Sequence, residues 1–490
     1  MELNDFIKEL EEQKKKAKEA VNQQTEKEIA AEPEPSGNIA AAEPIGSASS
    51  PANVASGVVP VSATDQTLED LKRTIHNVFV NNIKPEEINR FPEEQRRTEI
   101  RFALEQLIDT HAHQPLTFAQ RKELIDDLLD DILGFGPLEK LLRDPTIGDI
   151  LVNGAKQVYV ERRGILEPSG VTFRNDDQLI EIIQRIVARV GRRVNESSPM
   201  VDARMPDGSR FNAIIPPLSL VGPMVSIRRF GVRPLRIPDL IALKALTPEI
   251  VQFLDGAVKG KLNILVSGGT GSGKTTLLNA LSSFIPAHER LITIEDAAEL
   301  QLQQVHVGRL ESRPPNIEGK GEVTIRDLVR NALRMRPNRI IVGECRGPEA
   351  LDMLQAMNTG HEGSMTTLHA NSPRDALSRL EMMIMMSGLD LPLKAMRQQI
   401  ASSINLVIQV DRLIGGLRKV TSVSEIVGME QDTIVTQELM IYKQTGIDSQ
   451  GKAVGHFEMA GINSHYDVKI RAAGIHFSPD MFRKRVMLAC

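Results

Sequence analysis

Tryptophan is absent from the 490 residues, and only 3 tyrosines and 14 phenylalanines occur. So few rings weaken any reading in which nucleobases stack on aromatic side chains. Cysteine is almost absent too. Cys345 and Cys490, far apart, make neither a disulfide framework nor a zinc site, and a reduced, cytoplasmic compartment fits. No run of about 18 apolar residues occurs, so no membrane-spanning helix is expected. Met1-Glu2-Leu3-Asn4-Asp5 lacks the basic-then-apolar order of a signal peptide. Work at a membrane would therefore need a partner to bring the chain there. The net charge of −5 gives no global pull towards nucleic acid or anionic lipid.

What is present divides the chain. The apolar share of 41% can build sizeable cores, and the length suggests about three domains. Residues 1–29 are charged and helix-favouring, with Leu3, Phe6, Ile7 and Leu10 on one helical face. Residues 30–64, rich in Ala, Pro, Ser and Gly, bury too little to offset ordering entropy and read as a disordered tether. Helical spacing follows in Leu68, Leu71, Ile75 and Val78, then in Ile100, Leu104, Leu107 and Ile108 after Pro92. A third helix, with Thr117 as its N-cap, carries Leu124, Leu128, Leu129 and Ile132. These suggest a small bundle. Short β-like runs come next, at 149–152, 158–161, 211–215 and 224–228, around an amphipathic helix over 177–190. Val232–Pro238 reads as a proline-punctuated linker and hinge, followed by alternating strands and helices. Residues 404–410 and 417–423 read as a hairpin turned at Gly415-Gly416.

Gly268-Gly269-Thr270-Gly271-Ser272-Gly273-Lys274-Thr275 is a complete phosphate-binding loop. It follows the apolar run Ile264-Leu265-Val266 and opens a helical pattern at Thr276, the context the motif needs. Glycines let the backbone turn and approach an anion. Successive N–H groups and the helix start then surround the phosphates. Lys274 adds a full charge, and Thr275 offers a hydroxyl to Mg²⁺. Two more apolar strands end in acids: Leu291–Ile294 in Glu295-Asp296, and Ile340–Val342 in Gly343-Glu344. Parallel sheets place ligands at the carboxyl ends of their strands, so both acids should face the crevice of Lys274. Either acid alone could be a helix cap; together they can bind Mg²⁺ and orient water. His369, after Thr367-Leu368, can sense a γ-phosphate or be a structural residue.

In order, the glycine loop with Thr276, Ile294-Glu295-Asp296, Val342-Gly343-Glu344-Cys345-Arg346, and Gly360-His361 with Thr367-Leu368-His369 resemble four motifs. These are the Walker A, Asp box, Walker B and His box of the secretion-system traffic ATPases, the superfamily serving type II secretion, type IV pili and type IV secretion. The resemblance covers roughly residues 136–430. Val201–Pro217 is similar to the arginine region of the CpaF/TadA branch, the tight-adherence (Flp) pilus ATPases, which the long N-terminus and bundle also suit. The four-cysteine zinc module of type II secretion and many pilus assembly ATPases is missing, which argues against those branches.

The resemblance implies an α/β fold: a RecA-like P-loop domain (233–490, with a C-terminal extension), preceded by an α+β domain (135–232), a helical bundle (67–134) and a disordered N-terminal tail and linker (1–66). It implies ATP and Mg²⁺, with Gly268–Thr276 on the nucleotide and Thr275 and Glu344 on the metal. Glu295 becomes the catalytic glutamate, Glu344 shares that work, and His369 reports the γ-phosphate. Arg204 and Arg210 are expected to reach the triphosphate on closure, joined by Arg228 or Arg229. It further implies a homo-hexamer, an inner-membrane platform partner, no zinc, and a cytoplasmic location peripheral to the inner membrane. Direct nucleic-acid binding is disfavoured. Pilus assembly by a mechanical ATPase leads; a type IV secretion traffic ATPase, a DNA translocase and a nucleotide-gated scaffold remain open.

Overall fold

A computed structural model describes residues 8, 12, 63–83, 88, 90–112, 114–162, 164–229, 234–315 and 320–489. Expectations for residues 1–62, apart from Lys8 and Glu12, and for the start of the Val232–Pro238 hinge lie outside the described residues. The chain forms two compact units. One holds residues through Val160, Glu167–Met205 and Phe211–Ile227; the other holds Glu161–Leu166, Pro206–Arg210 and Arg228 onwards.

The first unit opens with three helices, α1 (Ala63–Asn82), α2 (Glu93–His111) and α3 (Phe118–Leu133). Their apolar faces meet in a core that includes Ile75, Phe79, Ile100, Leu104, Leu107 and Leu128. Helix α3 starts where its first free N–H groups find partners. Thr117 accepts from the Gln120 amide at 3.3 Å, and Gln120 Oε1 accepts from Thr117 N at 3.0 Å. At its other end Arg185 donates to Asp131 O at 2.7 Å and, just past the helix, to Gly134 O at 2.8 Å. Arg185 lies on α5 (Asp176–Arg189), which follows the short α4 (Leu138–Arg143). Leu179, Ile182, Ile183 and Ile186 of α5 are buried against a second core. A six-stranded sheet supplies that core's other side, with strand order β3-β2-β1-β6-β5-β4. Its strands are β1 (Ile147–Asn153), β2 (Val158–Arg162), β3 (Ile165–Pro168), β4 (Met200–Arg204), β5 (Arg210–Ile214) and β6 (Met224–Arg228).

The second unit begins with α6 (Ile237–Ala242) and α7 (Pro248–Lys259) and is built on β7 (Ile264–Gly268). Residues alternate across a strand. Ile264 and Val266 enter one apolar core while Leu265 enters another on the opposite face. Helices cover both faces, so every residue of β7 is buried, as in a parallel sheet. Helix α8 (Lys274–Ser282) follows the loop; then come β8 (Leu291–Glu295), β9 (Val307–Glu311), α9 (Ile325–Ala332), β10 (Arg339–Val342), α10 (Glu349–Asn358) and β11 (Met365–Leu368). Helices α11 (Pro373–Met385) and α12 (Leu393–Ser403) lead to β12 (Leu406–Arg412) and β13 (Arg418–Glu430), a hairpin turned through Gly415 and Gly416. Strands β14 (Thr433–Ile447), β15 (Ala453–Met459) and β16 (Arg485–Ala489), with α13 (Asp467–Ala472), complete the unit.

The ten-stranded sheet runs β16-β15-β14-β13-β12-β7-β11-β10-β8-β9. From β12 to β9 all neighbours are parallel; from β12 to β16 they are antiparallel. In register, Val342 lies beside Ile294, and Leu368 beside Ser267. Glu295, Glu344, His369 and Gly268 thus leave their strands at neighbouring levels of one sheet edge. The opposite edge carries a buried ion pair, Arg339 Nε to Glu289 Oε2 at 2.6 Å, with side chains 0% and 4% exposed.

Candidate functional site

The glycine loop joins β7 to α8. Gly271 has φ +69° and Gly273 φ +103°, a left-handed region that glycine enters without strain. Gly268 is constrained differently: a Cβ there would collide with the Val410 carbonyl of the adjacent β12. Lys274, 7% exposed, donates from Nζ to Gly268 O at 3.1 Å and Gly269 O at 2.8 Å. Nζ also lies 3.4 Å from both ring nitrogens of His369.

His369 links this ammonium to an acid. Its Nε2 is 3.0 Å from Glu344 Oε1. That geometry assigns the proton to Nε2, leaving Nδ1 to accept from Lys274. Glu344 Oε2 in turn accepts from Arg346 at 2.9 Å, and Arg346 reaches Asp296 at 3.4 Å. Burial, and next the charge of Lys274, hold the His369 pKa below its ordinary value against the pull of Glu344. Burial likewise lowers Lys274; Glu344 opposes the shift, while Arg228 and Arg346 add to it.

Glu295, 3% exposed, is bound on one side only. Its Oε2 accepts from the Glu299 and Leu300 amides at 2.7 and 2.8 Å. Among the described residues Oε1, also buried, has no hydrogen-bond partner. Burial raises its pKa, and those two amides only partly offset the rise. Gly343 passes so close that a Cβ on it would stand 2.9 Å from Glu295 Cγ. Arg210, in the segment belonging to the second unit, donates to Glu299 Oε1 at 2.9 Å. It therefore touches the turn that holds Glu295.

Lys274, His369 and Glu344 stand in one chain of contacts, and Glu295 packs against Gly343 beside it. Arg228 acts on Lys274 through its charge, and Arg229 follows it, half-buried. Arg204 ends β4 in the first unit, half-buried. Thr275 and Thr276 sit half-buried in the first turn of α8, while Thr270 and Ser272 belong to the loop itself. Thr275 and Glu344 are oxygen donors of the kind Mg²⁺ takes. Both Glu344 oxygens already bond, to His369 and Arg346, so a metal would exchange with one of them.

Sequence reasoning missed Arg412 and Arg418. Arg418 Nε donates to Gly271 O at 2.8 Å. Nothing local marks either arginine; they matter only because β12 pairs with β7.

Residues 131–472 match the family described as "Type II/IV secretion system protein". A Mycobacterium tuberculosis protein named for conjugal transfer is 37% identical over 303 residues, 61% of this chain and 86% of its own. Conjugal transfer protein TrbB of Rhizobium radiobacter is 32% identical over 327 residues, 66% of this chain and 95% of its own. The crystal structure of the VirB11 ATPase of the Brucella suis type IV secretion system, with sulphate, is 31% identical at a TM-score of 0.33. It covers 59% of this chain and 91% of that one.

Proposed function

Because this chain belongs to the type II/IV secretion system protein family and is a P-loop ATPase, we propose that it hydrolyses ATP as a homo-hexamer to drive a secretion or pilus machine. The cargo system we favour is the tight-adherence type IV pilus, powered through an inner-membrane platform protein from the cytoplasmic side. Support for that branch comes from the arginine region Val201–Pro217 and the helical bundle. The alternative is a type IV secretion traffic ATPase, favoured by the likeness to conjugal transfer proteins.

The observation that carries hydrolysis is the unequal state of the two glutamates. Both oxygens of Glu344 are engaged, by His369 and Arg346. Glu295 keeps one buried oxygen without a partner. A carboxylate with a raised pKa and an open lone pair is suited to take a proton from an attacking water. Glu295 therefore acts as base, and Glu344 orients His369. Lys274 and the loop amides bind the β- and γ-phosphates. Thr275 and Glu344 would hold Mg²⁺, which would supply positive charge for the phosphate oxygens. Arg204 and Arg210, with Arg228 or Arg229, add positive charge to the transition state. Arg210 does so after leaving Glu299.

Orthophosphate release from Mg-ATP by the purified, assembled chain tests the core of this. An arginine finger is worth about 10³- to 10⁵-fold in rate. Arg204→Ala or Arg210→Ala should therefore cripple turnover while ADP still binds; unchanged turnover removes that arginine from the role. Capture of a membrane platform protein supports the pilus reading. Turnover stimulated by DNA and strongly weakened by salt supports the transfer reading instead.

A further inference from the structure

The hairpin of β12 and β13 stands beside the glycine loop. Arg412 and Arg418 are cross-strand partners at its first rung, and Val410 of β12 lies in register with Gly268 of β7. One hairpin thus brings two guanidinium groups to one loop. Arg418 Nε donates to Gly271 O at 2.8 Å, and a Cβ on Gly273 would stand 3.5 Å from Arg418 Cδ. Arg412 is spent elsewhere, donating to the Gly164 carbonyl. Among the described residues the ion-pair partner of Arg418 is Glu161, at 4.0 Å, so the loop contact is the tighter tie.

We propose that Arg418 is a positioning residue: it fixes the Gly271–Ser272 peptide so that the Ser272 N–H points into the loop, towards the β-phosphate of a bound nucleotide. A trans peptide is planar, with C=O and N–H on opposite sides. An oxygen held on the hairpin side sends the hydrogen the other way. There Ser272 N meets Gly269 O at 3.4 Å, long for an amide bond and readily exchanged for a phosphate oxygen. Positive-φ residues on either side, Gly271 and Gly273, make the concave run of amides that binds anions. Within the loop this peptide is held only through Ser272, whose N–H and hydroxyl reach Gly269 O at 3.4 and 2.9 Å, and neither bond grips the Gly271 oxygen. A flipped peptide would present its oxygen to the phosphate. Arg418 supplies the missing restraint.

The inference rests on the P-loop reading above and predicts a distinct pattern. ADP and ATP share the β-phosphate, so losing Arg418 should weaken both alike and spare the chemical step. The test is calorimetric titration of the full chain with Mg-ADP, together with ATP turnover and the melting temperature without nucleotide. For Arg418→Ala, the ADP Kd and the ATP KM should both rise about tenfold, with kcat within about twofold and melting nearly unchanged. Arg418→Gln places an amide nitrogen at the same bond count from Cα as Arg418 Nε, and should restore most of the affinity without the charge. The proposal is overturned if Arg418→Ala binds ADP as the unmodified chain does. It is also overturned if Arg418→Gln folds and is as weak as Ala, or if kcat falls while affinity holds. Should Arg418→Ala not fold, Arg418→Gln alone decides. An unmodified chain that binds no ADP at all would instead remove the P-loop reading beneath it.

Discussion

Glu295 sets burial against chemistry. A carboxylate with an unpartnered oxygen inside the protein is costly, and burial raises its pKa accordingly. A raised folded value means that the native state binds more protons than the unfolded chain between the two pKa values. Stability from this group is therefore full below pH 4.5 and falls as pH rises through the folded value. Glu295→Gln should then do two opposite things. Turnover should drop about 10²- to 10⁴-fold, the usual worth of a general base. Resistance to urea at pH 7 should rise, and the difference should fade below pH 4.5. A variant that is inactive and also less stable at pH 7 would contradict this account. His369 has the reverse sign. Its lowered pKa makes stability rise with pH towards 6.5 and decline on acidification through the folded value. His369→Gln should flatten that acid limb in melts recorded between pH 5 and 7.

At the scale of elements, the sheet is held at both ends by polar groups with different tasks. Away from the nucleotide end, Arg339 at the head of β10 makes a two-pronged pair with Glu289 and also donates to Val258 O at 2.8 Å near the end of α7. Arg339→Ala leaves a buried carboxylate alone and should cost about 3–5 kcal/mol, read from urea midpoints. Replacing Arg339 and Glu289 together with Met and Leu should cost much less. In the bundle, Thr117→Ala removes the hydroxyl half of a capping box, a loss of about 1 kcal/mol, visible as a lower melting point if the bundle melts with its unit. The sequence made some elements easy to read. Strands β7, β8 and β10 are apolar on both faces, a pattern a buried parallel strand produces and a surface helix does not. Met365-Thr366-Thr367-Leu368 of β11 hid because two threonines break the apolar run, although all four residues are buried. Strand β9 hid for another reason. At the sheet's rim, Gly308, Arg309 and Glu311 look like a loop. In the site, Lys274, Glu295 and Glu344 were legible from motif spacing. Arg418 was not, since its partner Gly271 lies 147 residues away and no local period records that pairing.

In the molecule as a whole, the two units differ in how they bury apolar surface. The first keeps separate cores for its bundle and its sheet, whereas the second wraps two cores around one ten-stranded sheet. Such a sheet is open, and among the described residues it ends at β9 on one side and β16 on the other. Strand β9 offers charged side chains there, and Arg309 folds back to Leu300 O at 2.8 Å. Strand β16 reads Arg485-Val486-Met487-Leu488-Ala489, with Val486 58% exposed. Unpaired amides alongside apolar side chains template foreign strands. Among the described residues, the weak point on heating or prolonged storage is therefore the open edge at β16. Val486→Lys should delay turbidity in a light-scattering ramp while leaving nucleotide affinity untouched.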